Sequence, residues 1–206
     1  MSRHEGPTHT SAPPKLPATL RLGAVHLTVS DLDRSVDFYE DAIGLRLHHR
    51  EDGVAALDGL LATVTGEEPP GKANPGLIVG HVHLHVGDLE RGLGFYRNVL
   101  GFELMTFMPG QAAFVSAGGY NHHLGFNIWR GEGVPPVPEG RVGLRHWTVV
   151  LDDPEEVEAV RERVRAAGIA TEEREGGGFL VRDPRGSRCS LSPPRASRRR
   201  ILRTSP

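Results

Sequence analysis

His26 to Leu47 reads HLTVSDLDRSVDFYEDAIGLRL, and His83 to Leu104 reads HLHVGDLERGLGFYRNVLGFEL. The same His, Leu, Val, Asp, Leu, Arg, Phe, Tyr and Gly return at an offset of 57 residues. A period of that length marks a duplicated supersecondary unit and constrains the fold more than any other feature of the chain. Each copy predicts a strand of alternating residues, a turn at an Asp-Leu-(Asp/Glu)-Arg cap, a short helix carrying Phe-Tyr, and a Gly before the next strand.

A weaker third copy follows. Leu144 to Leu151 (LRHWTVVL) reads as a strand, Asp152 to Glu156 as an acidic helix start, and Val157 to Ala167 as an amphipathic helix ended by Gly168. The segment 169–192 leaves room for three short strands. The unit is therefore βαβββ. The fold class is α+β, with two modules pairing into a cup-shaped mixed sheet and helices outside.

The expected organisation is a disordered arm over 1–19, a first module over 20–66 and a turn-rich linker over 67–76. Paired modules forming a ligand cup follow over 77–192, then a basic disordered tail over 193–206. A net charge of −2 over 206 residues points to neither nucleic acid nor a membrane surface. No stretch approaches the roughly 20 apolar residues of a spanning helix. The N-terminal Pro/Ser/Thr-rich stretch lacks the apolar core of a secretory signal, and Cys189 stands alone. A reducing cytoplasm is the expected setting.

Strand alternation assigns faces. Val82, Leu84 and Val86 form an apolar face toward the helix, leaving His81, His83 and His85 opposite. In the third copy His146 takes the place of His81, while Trp147, Val149 and Leu151 turn to the helix. In the hairpin 112–129, His123, Gly125, Asn127 and Trp129 share one face. Three buried, unpaired imidazoles would be costly, so the histidine face is expected to be open or polar. Imidazoles gathered at neutral pH are metal ligands or proton carriers. Phe38-Tyr39 and Phe95-Tyr96 are expected to pack in the core.

The repeat, the V-x-D-L-x-R-x-x-x-F-Y stretch and the Asp183-Pro184-Arg185-Gly186 turn resemble the vicinal oxygen chelate superfamily, which includes glyoxalase I, bleomycin-resistance proteins and extradiol dioxygenases. The stretches GHVHLHVGDL, FVSAGGYNHHLGFNIW and GLRHWTVVL are similar to the catechol 2,3-dioxygenase branch of the CatE type. That resemblance implies a ring-cleaving oxidoreductase using Fe(II), or Mn(II), on a catechol-type aromatic. His81 and His146 would be metal ligands, His123 the acid/base group, and Asn127, Tyr120 and His83 substrate contacts.

The third metal ligand of that pattern is a Glu seven residues after the Asp of the Asp-Pro-x-Gly turn. Here the position is Ser190, whose neutral hydroxyl lacks the charge that offsets Fe(II). Leu180 stands where a Tyr often precedes the turn. One module of the four in such relatives is missing, and Ala24 replaces the ligand His in the first. The alternatives are a metal-free protein that binds a small aromatic or amphipathic molecule, as bleomycin-resistance relatives do, and a glyoxalase-like lyase. The first module has no partner in the chain, so a homodimer through first modules is expected.

Overall fold

A computed structural model describes residues 15–58, 77–138 and 140–194. The expected linker over 67–76, residues 1–14 of the expected arm and residues 195–206 of the expected tail lie outside the described residues. The remaining arm residues are not free. Leu16 and Leu20 are buried in the core, and the Leu16 amide donates to Gly101 O at 2.9 Å. Gly118, at φ 62°, lets this segment pass, since a Cβ there would stand 2.5 Å from Ala18 Cα.

The first module gives β1 (Arg21–Thr28), α1 (Leu32–Phe38), a π-helical turn (Tyr39–Ile43), β2 (Arg46–Glu51) and β3 (Val54–Asp58). The second gives β4 (Val82–His85), α2 (Leu89–Leu93), a π-helical segment (Gly94–Leu100), β5 (Glu103–Met108), β6 (Ala112–Ser116) and β7 (Leu124–Asn127). The third gives β8 (Gly143–Val150), α3 (Pro154–Ala166), β9 (Thr171–Glu173), β10 (Phe179–Arg182) and β11 (Arg188–Ser192). The fold is mixed α+β and built on βαβββ units, as the repeat implies.

The duplication is legible atom by atom. Asp31 and Asp88 each accept the backbone N–H three residues on, from Arg34 and Arg91, at 3.0 Å in both copies. This satisfies one of the four donors a helix start leaves unpaired. Both helices then widen into π geometry around the Phe-Tyr pair and stop at a left-handed Gly, Gly44 at φ 80° and Gly101 at φ 98°. The sequence predicts one continuous helix over 32–42. The widening lets the Leu45 and Phe102 amides reach back to Tyr39 O and Tyr96 O.

The sheets repeat the same order. In the second module it is β4-β7-β6-β5, and in the third β8-β11-β10-β9. Each opening strand therefore lies parallel to its own closing strand. The third sheet carries one more member: β1 pairs antiparallel with β8, with His26 opposite His146. The sequence reading leaves the first module without a partner in the chain. Instead its opening strand is seated on the third module.

The second and third modules share a core. Phe95, Tyr96, Leu100 and Phe102 pack with Trp147, Val157, Val160 and Val164, all at 3% exposure or less. Arg163 on α3 donates to Val99 O (3.2 Å) and Leu100 O (2.9 Å), meeting carbonyls at the end of the second module's helix. The first module is packed differently. Phe38 is 56% exposed, against 3% for its repeat partner Phe95, so core packing does not explain the first Phe-Tyr pair. α3 covers one copy, and no described element covers the other to that depth.

Candidate functional site

The alternation in the β4 region places side chains as the residue types require. Val82, Leu84 and Val86 are buried, His81 and His83 exposed, and His85 half-buried. A close approach builds the wall beside them. The His83 ring lies over Gly125 on β7, where a Cβ would meet His83 Nδ1 at 2.8 Å and Phe114 Cε1 at 3.1 Å. A glycine inside a strand marks such an approach.

Asn127 orders the imidazoles around it. Its Nδ2 donates to His83 Nε2 at 2.6 Å. Its Oδ1 accepts from the Trp129 amide at 3.1 Å and from His85 Nδ1 at 3.2 Å. His83 therefore keeps its proton on Nδ1 and His85 on Nδ1 as well. The remaining nitrogen of His85, Nε2, is buried and has no partner among the described residues. Trp129 stacks on His83 with centroids 5.5 Å apart, and Phe114 meets its edge at 6.0 Å.

His123 is buried at 7% exposure. Its Nδ1 faces the Ser116 hydroxyl at 2.9 Å and accepts the Ala117 amide at 3.3 Å. The amide can only donate, so Nδ1 carries the lone pair and the proton sits on Nε2. Tyr120 lies against this ring at 4.6 Å. In this state His123 offers a donor to a bound oxygen, and taking up a second proton requires giving up the Nδ1 contacts.

His122, which the sequence reading passes over, closes the wall. Its ring sits 4.7 Å from His81 and 5.2 Å from Phe114. The doubled His in Asn121-His122-His123 was the available signal, but strand alternation does not apply to a loop position. Burial, then the charges of His81 and His122, lowers the pKa of His83. Burial and His81 lower that of His122, and burial and His122 lower that of His123. These three rings are neutral at pH 7, which suits them to accept, donate or ligate rather than to bind anions.

His146 stands elsewhere. It lies on β8, stacked on His26 at 3.8 Å and 18°, and its pKa falls to about 4 through burial, then His26, Arg174 and Arg145. Ser190 on β11 is opposite Thr148, on the face of β8 that carries His146, and is 8% exposed. Among the described residues no three His, Cys, Asp or Glu side chains come together to hold a metal ion. The structure thus joins His81, His83, His85, His122, His123, Tyr120 and Asn127 on the second module and sets His146 and Ser190 on the third module's sheet. A cleft of about 340 Å³ beside Gly87, Arg91, Glu132, Pro135 and Arg185 holds none of these imidazoles.

Known proteins resemble this chain. The chain is 46% identical over 129 residues, 62% of its length, to a protein described as Catechol-2,3-dioxygenase from Bacillus subtilis (strain 168), and the match takes in 45% of that relative. The chain thus spans less than half of the relative's length. Solved structures that resemble it include a Lactoylglutathione lyase from Agrobacterium tumefaciens, at 28% identity and TM-score 0.45, covering 59% of this chain and 96% of that one. A glyoxalase/dioxygenase from Nostoc punctiforme follows at 20% and TM-score 0.48, covering 59% and 94%. The family model described as Glyoxalase/Bleomycin resistance protein/Dioxygenase superfamily matches residues 21–76 and 78–191. With nearly the whole described chain inside that match and the βαβββ order repeated in two sheets, the chain belongs to the Glyoxalase/Bleomycin resistance protein/Dioxygenase superfamily.

Proposed function

We propose that this protein is an extradiol-dioxygenase-like member of its superfamily whose substrate class is a catechol-type aromatic. The observation that carries the reading is its 46% identity to a protein described as Catechol-2,3-dioxygenase. The wall described above is chemically suited to such a molecule. Trp129 and Phe114 offer ring faces and edges beside His83, and Tyr120 does so beside His123. The His123 Nε2–H is a hydrogen-bond donor for a catechol oxygen, and Asn127 holds His83 and His85 in fixed tautomers.

Fe(II), or Mn(II) in its place, is the cofactor that the dioxygenase reading implies, with His81 and His146 as ligands. The donor set of a single chain does not fit it. Among the described residues no three potential ligand side chains come together, His146 is engaged with His26, and Ser190 brings no negative charge. Ser190 is also the observation favouring a second reading, a metal-free protein binding a small aromatic molecule on the same wall.

Titrating the protein with catechol while following tryptophan fluorescence tests the shared step. Saturable binding is expected, weakened about tenfold by Trp129→Ala, equivalent to about 1.4 kcal/mol. Oxygen uptake with ring-opened product, after anaerobic loading with Fe(II), then separates the enzyme from the binder. Absence of catechol binding by the parent protein would end both readings.

A further inference from the structure

Two imidazoles of the second module are left over once the hydrogen bonds of the wall are assigned. His83 has Nε2 taken by Asn127 and its proton on Nδ1. His123 has Nδ1 taken by the Ala117 amide and its proton on Nε2. His85 gives its Nδ1–H to Asn127, and its lone pair, on Nε2, is buried. His81 and His122 remain, both reached by solvent, with ring centres 4.7 Å apart. We propose that these two rings chelate one divalent ion of the nitrogen-preferring kind, Zn(II), Ni(II) or Cu(II), with water completing its coordination.

The spacing is that of two rings sharing an ion. Metal–nitrogen bonds of about 2.0–2.1 Å, meeting at about 90–109°, put the centres of two imidazoles about 4.5–5.2 Å apart. A face-to-face stack is shorter and flatter, as His26 and His146 show at 3.8 Å and 18°. His81 and His122, inclined at 50°, are too tilted to be such a stack.

The tautomer of His122 is the second support. Its Nδ1 stands 2.7 Å from Asn121 Oδ1, an oxygen that can only accept. The proton is therefore on Nδ1, and Nε2 carries the lone pair. Ligating histidines are held in this way, the far N–H given to an oxygen that fixes the ring and raises its basicity. No described residue hydrogen-bonds to the His81 ring, so none competes with an ion for it.

The backbone supplies the third. Val82 N donates to His123 O at 3.0 Å, and His123 N donates to Val115 O at 3.1 Å. Each ligand thus stands one residue before a partner in the same backbone hydrogen bond. The sheet sets their separation, and Phe114 backs His122 at 5.2 Å. This pair shares His81 with the arrangement that the dioxygenase resemblance implies, but it uses neither His146 nor Ser190 and needs no carboxylate.

Isothermal titration of the full chain with Ni(II), Zn(II) and Co(II) tests the site with no catechol present, so the outcome does not depend on the substrate reading above. One ion per chain is expected, held more tightly for Ni(II) than for Co(II). Asn121→Ala keeps both ligands and should weaken binding about tenfold, and His81→Gln and His122→Gln should each weaken it by more. His146→Gln should leave it unchanged. In the parent, Ni(II) should broaden the His81 and His122 ring signals in proton NMR spectra before those of His26 and His146. A parent that binds no ion overturns the proposal, as does binding that survives His122→Gln unweakened. Loss of binding in His146→Gln, with His26 and His146 broadened first, overturns it as well and places the ion on the third module's sheet. If His81→Gln or His122→Gln misfolds by circular dichroism, the broadening pattern of the parent decides.

Discussion

Tyr96 donates its hydroxyl to Asp183 Oδ2 at 2.8 Å, joining the second module's helix to the turn that closes the third. Both residues are buried, and Asp183 Oδ1 takes the amides of Arg185 (2.9 Å) and Ser187 (2.8 Å). Burial first, and the Asp183 charge second, push the Tyr96 pKa well above its ordinary value, so the phenol is the donor throughout the working range of pH.

Tyr96→Phe keeps the ring and removes this donor. A hydrogen bond to a charged acceptor contributes about 1.5–3 kcal/mol, and here its loss leaves one buried carboxylate oxygen unpaired. The thermal midpoint should fall by about 3–12 °C. A midpoint within error of the parent would mean that solvent reaches Oδ2.

The repeat supplies an internal control for packing. Phe95→Ala empties a site that is 3% exposed and should cost about 3–5 kcal/mol. Phe38→Ala alters the same position of the other copy at 56% exposure and should change stability by about 0.5 kcal/mol or less. Urea unfolding of the two variants makes the comparison. Equal losses would show that Phe38 is covered in solution.

Much of this was legible in the chain. The caps at Asp31 and Asp88 and the stops at Gly44 and Gly101 follow from local chemistry that the repeat displays twice. The faces of 81–86 and 146–151 follow from alternation, which burial reproduces. The pairing of β1 with β8 was not legible, because all three opening strands are chemically alike and any two could meet. The exposure of Phe38 escaped for a related reason: identical local sequence cannot say which copy a third helix will cover. His122 escaped because it lies in the loop before β7, where alternation assigns no face, and the lack of a described partner for His85 Nε2 depends on where Asn127 points, which strand periodicity does not encode.

Gly125→Ala tests the wall directly. The added methyl would stand 2.8 Å from His83 Nδ1 and 3.1 Å from Phe114, so the imidazole must move and its bond to Asn127 must stretch or break. Crowding of this kind costs about 1–3 kcal/mol. In proton NMR spectra the His83 and Trp129 ring signals should shift while those of Trp147, on the core side of β8, stay in place. Unchanged His83 signals would refute the close approach.

Acid should weaken the fold through His146. Its imidazole is neutral in the folded chain down to about pH 4, against an ordinary value of 6.5, because burial and the neighbouring His26, Arg174 and Arg145 oppose a charge. Once unfolded, the same ring protonates near 6.5, so between these limits the unfolded state binds more protons. The stabilising effect of the neutral ring is fully present above pH 6.5, declines as pH falls toward about 4, and is gone below that. His83, His122 and His123, lowered in the same direction, add to the early part of this decline. Thermal midpoints measured from neutral pH down to about 4 should therefore drop. His146→Gln should make the drop shallower without abolishing it, since the other three rings remain. An equally steep decline in the variant would place the titrating group away from the His26–His146 stack.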